Sequence, residues 1–172
     1  MTHRAAVITC SDRAFADIYE DRSGPILREG LAGLGFDVAE AVIVPDEPKE
    51  IARAIAEALA SGARVILTTG GTGVGPRDVT VEVVAPLLTQ ELPGIAELVR
   101  AKGGEKTPKA VLSRGVAGVI GAGVAGADAG HAPVFVFTAP GSRGGARDTM
   151  TVLAPLLMHL VGQLDGEGHD LD

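Results

Sequence analysis

The residues best suited to chemistry gather around one glycine-rich run, Thr69-Gly70-Gly71-Thr72-Gly73-Val74-Gly75-Pro76-Arg77-Asp78, which follows the apolar stretch Arg64–Thr68. Glycine at the end of a strand leaves backbone N–H groups unobstructed by Cβ. Such amides cradle phosphate oxygens, above all where a helix begins and its positive end adds to the attraction. Gly70, Gly71, Thr72 and Gly73 are therefore candidate anion ligands. No Gly-Lys-Ser/Thr follows, so the run is not a Walker-type phosphate loop.

Two carboxylates accompany it. Asp78 closes the run and Asp46 follows an earlier apolar stretch, each at the expected start of a helix. Either one alone reads as a helix cap. On one edge of a sheet, the pair can hold Mg²⁺ between them while water completes its octahedron. Ser113 and Arg114 offer a hydroxyl and a guanidinium for an anion. Pro140-Gly141-Ser142, opening into Arg143-Gly144-Gly145, is a second turn of the same kind.

Other patterns carry less. Gly121-Ala122-Gly123-Val124-Ala125-Gly126 spells GxGxxG, but only Ala127–Ala132 separates it from the next strand, too short for a dinucleotide-binding crossover helix; a glycine-rich turn or hairpin is expected. His131 and His159 have no partner at metal-ligand spacing, and no Ser-His-Asp arrangement is supported. The single cysteine, Cys10, reads as a small buried residue and excludes an intrachain disulfide.

The elements that must position these groups alternate between short apolar runs and helical periodicity, which predicts a parallel sheet with crossover helices. Strands are expected at Ala5–Thr9, Phe36–Val44, Arg64–Thr68 and Pro133–Thr138. Helices are expected from Ser23, as cap, to Leu34, from Pro48 to Ser61-Gly62, near Val79–Leu88 and Gly94–Lys102, and over Arg143–Leu164. The polar segment Ser11–Arg22 is a loop rich in acid, and the tail from Asp165 is expected to fray. Residues 1–164 form one domain and 165–172 a polar tail.

Bulk properties bound the rest. A chain of 172 residues can bury roughly 70% of its unfolded surface, so its core needs no staples. With 24 glycines, 3% aromatic residues and no Trp, that core is aliphatic and its turns are tight. A net charge of −7 argues against binding a nucleic-acid backbone. The least polar long stretch, Gly115–Ala127, is shorter than a membrane span, and the residues before Ala5 are too few for a signal peptide; the expected setting is cytoplasmic.

Taken in order, Thr9-Cys10-Ser11-Asp12-Arg13, Asp21-Arg22-Ser23-Gly24-Pro25, Val44-Pro45-Asp46-Glu47, Thr68–Gly73 with Arg77-Asp78-Val79-Thr80, Leu112-Ser113-Arg114 and Pro140-Gly141 resemble the MogA/MoaB-type molybdopterin-binding family across roughly Ala5 to Val161. The resemblance implies a three-layer α/β/α sandwich around a mainly parallel sheet, commonly a homotrimer. It implies adenylyl transfer from ATP, with Mg²⁺, to the terminal phosphate of molybdopterin, with a molybdenum insertase downstream. It assigns the essential aspartates to Asp46 and Asp78 and a serine near the pterin phosphate to Ser113. The alternative within the family is a protein that binds or carries molybdopterin without catalysis. Two departures stand out: Val81 where many relatives have proline, and Ala139-Pro140-Gly141-Ser142-Arg143 in place of Leu-Pro-Gly-x-Pro.

Overall fold

Strand β1 (Arg4–Cys10) is apolar along both faces because both are covered: Ala5 and Val7 join one buried cluster, Ile8 and Cys10 the other. It lies inside a seven-stranded sheet in the computed structural model, which describes residues 2–124 and 131–166. On one side β1 pairs in parallel with β2 (Asp37–Val38) and β3 (Val42–Val44), and on the other with β4 (Ala63–Thr69). The sheet continues through β7 (Val134–Ala139), parallel to β4, then β6 (Ala117–Ile120) and the short β5 (Gln90–Glu91). Of the described strands, β6 alone runs against the others.

Helices cover both faces, giving the expected three layers. On one side α2 (Gly24–Gly33), α5 (Pro93–Gly104), α6 (Arg143–Leu153) and α7 (Leu157–Leu164) set Leu27, Leu31, Val99, Leu153 and Leu157 against Phe135 and Phe137. On the other side α3 (Pro48–Ala60) and α4 (Thr80–Val84) set Ile51, Ile55, Leu59 and Val84 against Ile8, Ile66 and Val136. Each fully buried aliphatic or aromatic side chain contributes about 1.5–3 kcal/mol. A single turn, α1 (Asp12–Phe15), fills part of the Ser11–Arg22 loop; its cap is Ser11, whose side chain accepts from the Ala14 N–H.

Several boundaries differ from those predicted, each for a local reason. The strand expected over Phe36–Val44 is split. β1 pairs Ala5 with Val38 but Ile8 with Val42, so one extra residue bulges from the partner strand. The closing helix expected over Arg143–Leu164 breaks into α6 and α7 around Pro155, which lacks the N–H a continuous helix needs. Ser23 occupies the cap position of α2 but its side chain caps nothing. The anchor is Asp21, whose Oδ1 accepts from the N–H groups of Ser23 and Gly24, both at 3.0 Å, while Oδ2 accepts from Thr9 Oγ1 at 2.6 Å. Gly24 is obligatory there, because a Cβ would overlap Asp21 Oδ2. The antiparallel pairing of β6 with β7 agrees with a hairpin near the GxGxxG segment, but residues 125–130 of that segment and 167–172 of the tail lie outside the described residues. Among the described residues no helix is long and apolar enough to cross a membrane.

Asp21→Ala is expected to destabilise the protein by about 1 kcal/mol or more through the lost cap. Ser23→Ala, which removes one hydroxyl donor to the same carboxylate, should cost about 0.5 kcal/mol. Urea unfolding of both variants checks the order; the reverse order would return the cap to Ser23.

Candidate functional site

Parallel strands deliver their carboxyl ends to one rim, so the segments after β1, β3, β4 and β7 meet there: Ser11-Asp12, Pro45-Asp46, Gly70–Asp78 and Pro140–Ser142. Because β6 runs the other way, its leading end also reaches this rim. Ala117 pairs with Phe137, and Ser113-Arg114 arrive just before it. The candidate site residues singled out from sequence thus share one edge of the sheet, although they come from four separate stretches of chain.

The glycines of the β4 loop have a second purpose beyond bare amides. Gly70 (φ 97°) and Gly71 (φ 62°) are left-handed, where side chains are strained. A Cβ on Gly70 would overlap the Cys10 carbonyl, and one on Gly71 the Thr80 hydroxyl. At Gly73 and Gly75 a Cβ would come within 2.8 Å of Asp78 Oδ2. The loop therefore folds over its own aspartate and packs against the end of β1. The Gly70 N–H already donates to the Ala139 carbonyl (3.1 Å) and the Gly75 N–H to Asp78 Oδ2 (2.8 Å). Among the described residues the amides of Gly71, Thr72 and Gly73 donate to no protein acceptor, which narrows the anion cradle to these three.

Neither aspartate caps a helix. Glu47 holds the cap position of α3 and Val79 that of α4, and neither uses its side chain. Asp46 instead exchanges hydrogen bonds with Asp12. Asp46 Oδ2 accepts from the Asp12 N–H, and Asp12 Oδ1 from the Asp46 N–H, both at 2.9 Å. Arg77, from the glycine run, donates to both oxygens of Asp12 at 3.0 Å and to Glu47 at 2.9 Å. Burial raises the Asp46 carboxyl above its ordinary value, and the charges of Asp12 and Asp78 add to the rise against the opposing Asp12 N–H and Arg77. Asp12 moves the other way, held low mainly by Arg77. The partner-to-partner contacts bring Asp12, Asp46 and Asp78 into one electrostatic cluster.

The donor set suits a metal of one kind. Asp46 Oδ1 is buried and has no hydrogen-bond partner. No described group of three or more His, Cys, Asp or Glu is arranged to hold a metal, so a closed protein cage is not what the rim offers. Asp46 lines a cavity with one oxygen unpartnered, the way a carboxylate holds Mg²⁺ together with substrate phosphates, whereas Asp78 lines neither rim cavity and its Oδ2 accepts from the Gly75 N–H.

Two cavities open at the rim. One of about 530 Å³ is lined by Thr9, Ser11, Asp46, Gly70 and Gly71, with Arg22 and Arg143 as its cations. The other, of about 420 Å³, is lined by Thr72, Gly73, Ser113 and Pro140 at one end and by Lys106, Lys109 and Asp148 at the other. Ser142 and Gly144 line both. Ser142 is the cap of α6, its Oγ accepting from the Gly145 N–H at 3.0 Å. Ser113 Oγ donates to Thr72 Oγ1 at 3.2 Å, tying it to the glycine loop.

Arg114 lines neither cavity. Its guanidinium donates to the carbonyls of Gly73 (2.6 Å) and Asp78 (2.8 Å) and pairs with Glu82, so it clamps the loop from behind. Cys10, at the end of β1, is buried, and desolvation pushes its thiol up to about 12. Sequence reasoning missed Asp12, Arg77 and Asp148. Asp12 offered the same signal as Asp46, an acid one or two residues past a strand, and Asp148 is a charged residue between Ala146 and Thr149 on the buried side of α6.

The chain matches the family model described as probable molybdopterin binding domain over residues 6–159. It is 41% identical over 166 residues to a molybdenum cofactor biosynthesis bifunctional protein of Chlorobaculum tepidum, covering 96% of this chain and 50% of that protein. The chain thus spans about half the length of that bifunctional relative. A molybdopterin adenylyltransferase of Pyrococcus furiosus is 38% identical over 161 residues, 93% of this chain and 90% of its own. Among solved structures, the tungsten cofactor synthesizing protein MoaB of Pyrococcus furiosus superposes with a TM-score of 0.84 at 35% identity, covering 95% of this chain and 97% of that one.

Because folding raises the Asp46 pKa above its ordinary 3.8, the folded state holds that proton more tightly, and stability drains away as pH rises from 3.8 through the raised value. Asp46→Asn, measured in metal-free buffer, should therefore melt higher than the parent at pH 7, with the gap closing as pH falls below 3.8. A gap of equal size at both ends would detach the effect from ionisation.

Proposed function

The chain belongs to the molybdopterin-binding domain family, and on that footing we propose that it adenylylates molybdopterin, transferring AMP from ATP to the terminal phosphate and releasing pyrophosphate. The observation that carries this reading is the pair of cavities sharing Ser142 and Gly144, one holding Asp46 and the other Ser113. Two anionic reactants can lie on either side of one turn with their reacting ends meeting at it.

In this reading the triphosphate occupies the Asp46 cavity, where Arg143 and Arg22 face its charge. The amides of Gly71, Thr72 and Gly73 take phosphate oxygens at the junction, and Ser142 together with the first turn of α6 supplies further donors. Ser113, with Pro140 lining the same cavity, steadies the phosphate of molybdopterin, while Gly141 lines the Asp46 cavity. A phosphate monoester has its second pKa near 6, so its oxygen is already ionised enough to attack the α-phosphorus. A new P–O bond forms as the bond to the β-phosphate oxygen breaks, and pyrophosphate carries away the electron pair. No general base is required, which fits a rim without a described histidine. Mg²⁺ bound between Asp46 and Asp78 would neutralise the phosphate oxygens that must approach one another. The protein's own contribution is position and charge, the terms that dominate phosphoryl transfer. The reading extends to a cytoplasmic homotrimer whose product passes to a molybdenum insertase, as the family resemblance implies.

Purified protein given ATP, Mg²⁺ and molybdopterin should release pyrophosphate in step with adenylyl-molybdopterin. Asp78→Asn should abolish turnover and leave molybdopterin binding nearly intact. Ser113→Ala should weaken that binding by about 1.5–3 kcal/mol, one charge-assisted hydrogen bond. Tight binding by the parent without any pyrophosphate would make it a molybdopterin carrier instead.

A further inference from the structure

Asp148 is an anomaly in the Ser113 cavity. It is 3% exposed on the buried side of α6, among Ala146, Thr149 and Val152, where an apolar residue would pack at no electrostatic cost. A carboxylate so placed is costly unless its oxygens are satisfied. Oδ1 takes the Lys106 ammonium, whose side chain is half exposed. Oδ2 has no donor among the described residues, and it faces the bare backbone of Gly103, where an added Cβ would lie 3.7 Å away. Asp148 is the one acid among the residues lining this cavity.

The two ends of the cavity therefore ask for different chemistry. Thr72, Gly73 and Ser113 at the rim supply donors for an anion, whereas Asp148, with Oδ1 taken by Lys106 and with Arg100 and Lys109 lining the same cavity, leaves Oδ2 as an acceptor that calls for a donor. Val99, Ala110 and Leu112 between them present apolar walls suited to the faces of a flat ring. A 2-amino-4-oxopteridine carries its exocyclic amino group beside the ring N3–H, two parallel donors that match a carboxylate bidentately, as a guanidinium does.

We propose that Asp148 is the specificity-determining residue for the ring, accepting from the 2-amino and N3–H groups of the pterin while its phosphate end lies at the glycine loop. This rests on the assignment of the cavity to molybdopterin made above. Lys106 orients the carboxylate and is a positioning residue.

The test compares binding of two fluorescent probes, the 6-hydroxymethyl monophosphates of pterin and of its 2,4-dioxo counterpart, lumazine. The lumazine turns a carbonyl toward the carboxylate where the pterin turns an amino group. The parent should prefer the pterin by about tenfold or more, the discrimination one charge-assisted hydrogen bond supplies. Asp148→Asn can present its amide N–H to the carbonyl and should lose or invert that preference without losing its melting transition. Lys106→Met keeps the acid and should keep the preference, whatever happens to overall affinity. An unchanged preference in Asp148→Asn, an equal fall for both probes, or loss of the preference in Lys106→Met would each overturn the proposal. If the parent binds neither probe, the pterin assignment of the cavity falls with it; if it binds both alike, only the role of Asp148 does.

Discussion

The rim of this sheet is organised by a reciprocal exchange between two acids, Asp12 and Asp46, each accepting the other's backbone N–H at 2.9 Å. The exchange joins the segments that follow β1 and β3, two strands that pair in parallel. The two carboxylates repel, and Arg77 offsets the repulsion by donating to both oxygens of Asp12. Arg77 sits in the glycine run, so the same ion pair ties the β4 loop to the segments that follow β1 and β3, and the charge of Asp78 is felt at Asp46. One oxygen, Asp46 Oδ1, remains buried and unanswered.

The glycine loop serves the same arrangement from the other direction. Its residues are small because the chain doubles back on Asp78 and presses on the Cys10 carbonyl, not solely to expose amides. Arg114 and Glu82 brace it from behind, each shifting the other's ionisation toward the charged form. What remains without a protein acceptor among the described residues is a short row of amides at Gly71–Gly73, residues that line one or the other of the two cavities. A loop held this firmly needs little reorganisation when charge arrives, which is the condition under which fixed dipoles are most effective.

Much of this was legible in the residues. Aliphatic runs alternating with helical periods gave the layers, and strand-end glycines and acids gave the rim. Most of the failures have a common cause: they depend on partners far apart in sequence. Nothing near Ser23 says that Asp21 will take over its capping role, because that depends on Thr9 arriving beside it. Nothing near Arg114 says its guanidinium will turn to Gly73 and Glu82, residues more than thirty positions away. The split of the Phe36–Val44 strand depends on pairing register with β1, which alternation alone does not encode. The break at Pro155 is a failure of another kind: the missing N–H is a local signal, and the predicted helix over Arg143–Leu164 ran through it.

The lone sulfur at the end of β1 has a bearing on the proposed substrate. Molybdopterin carries a pair of vicinal sulfur atoms, and exchange between sulfurs proceeds through the thiolate form. With its pKa pushed up to about 12, Cys10 stays protonated, and it is 2% exposed. It therefore adds no thiolate charge to the acidic rim and offers no nucleophile to form a mixed disulfide, so a sulfur-bearing ligand can visit this pocket repeatedly without becoming tethered to it.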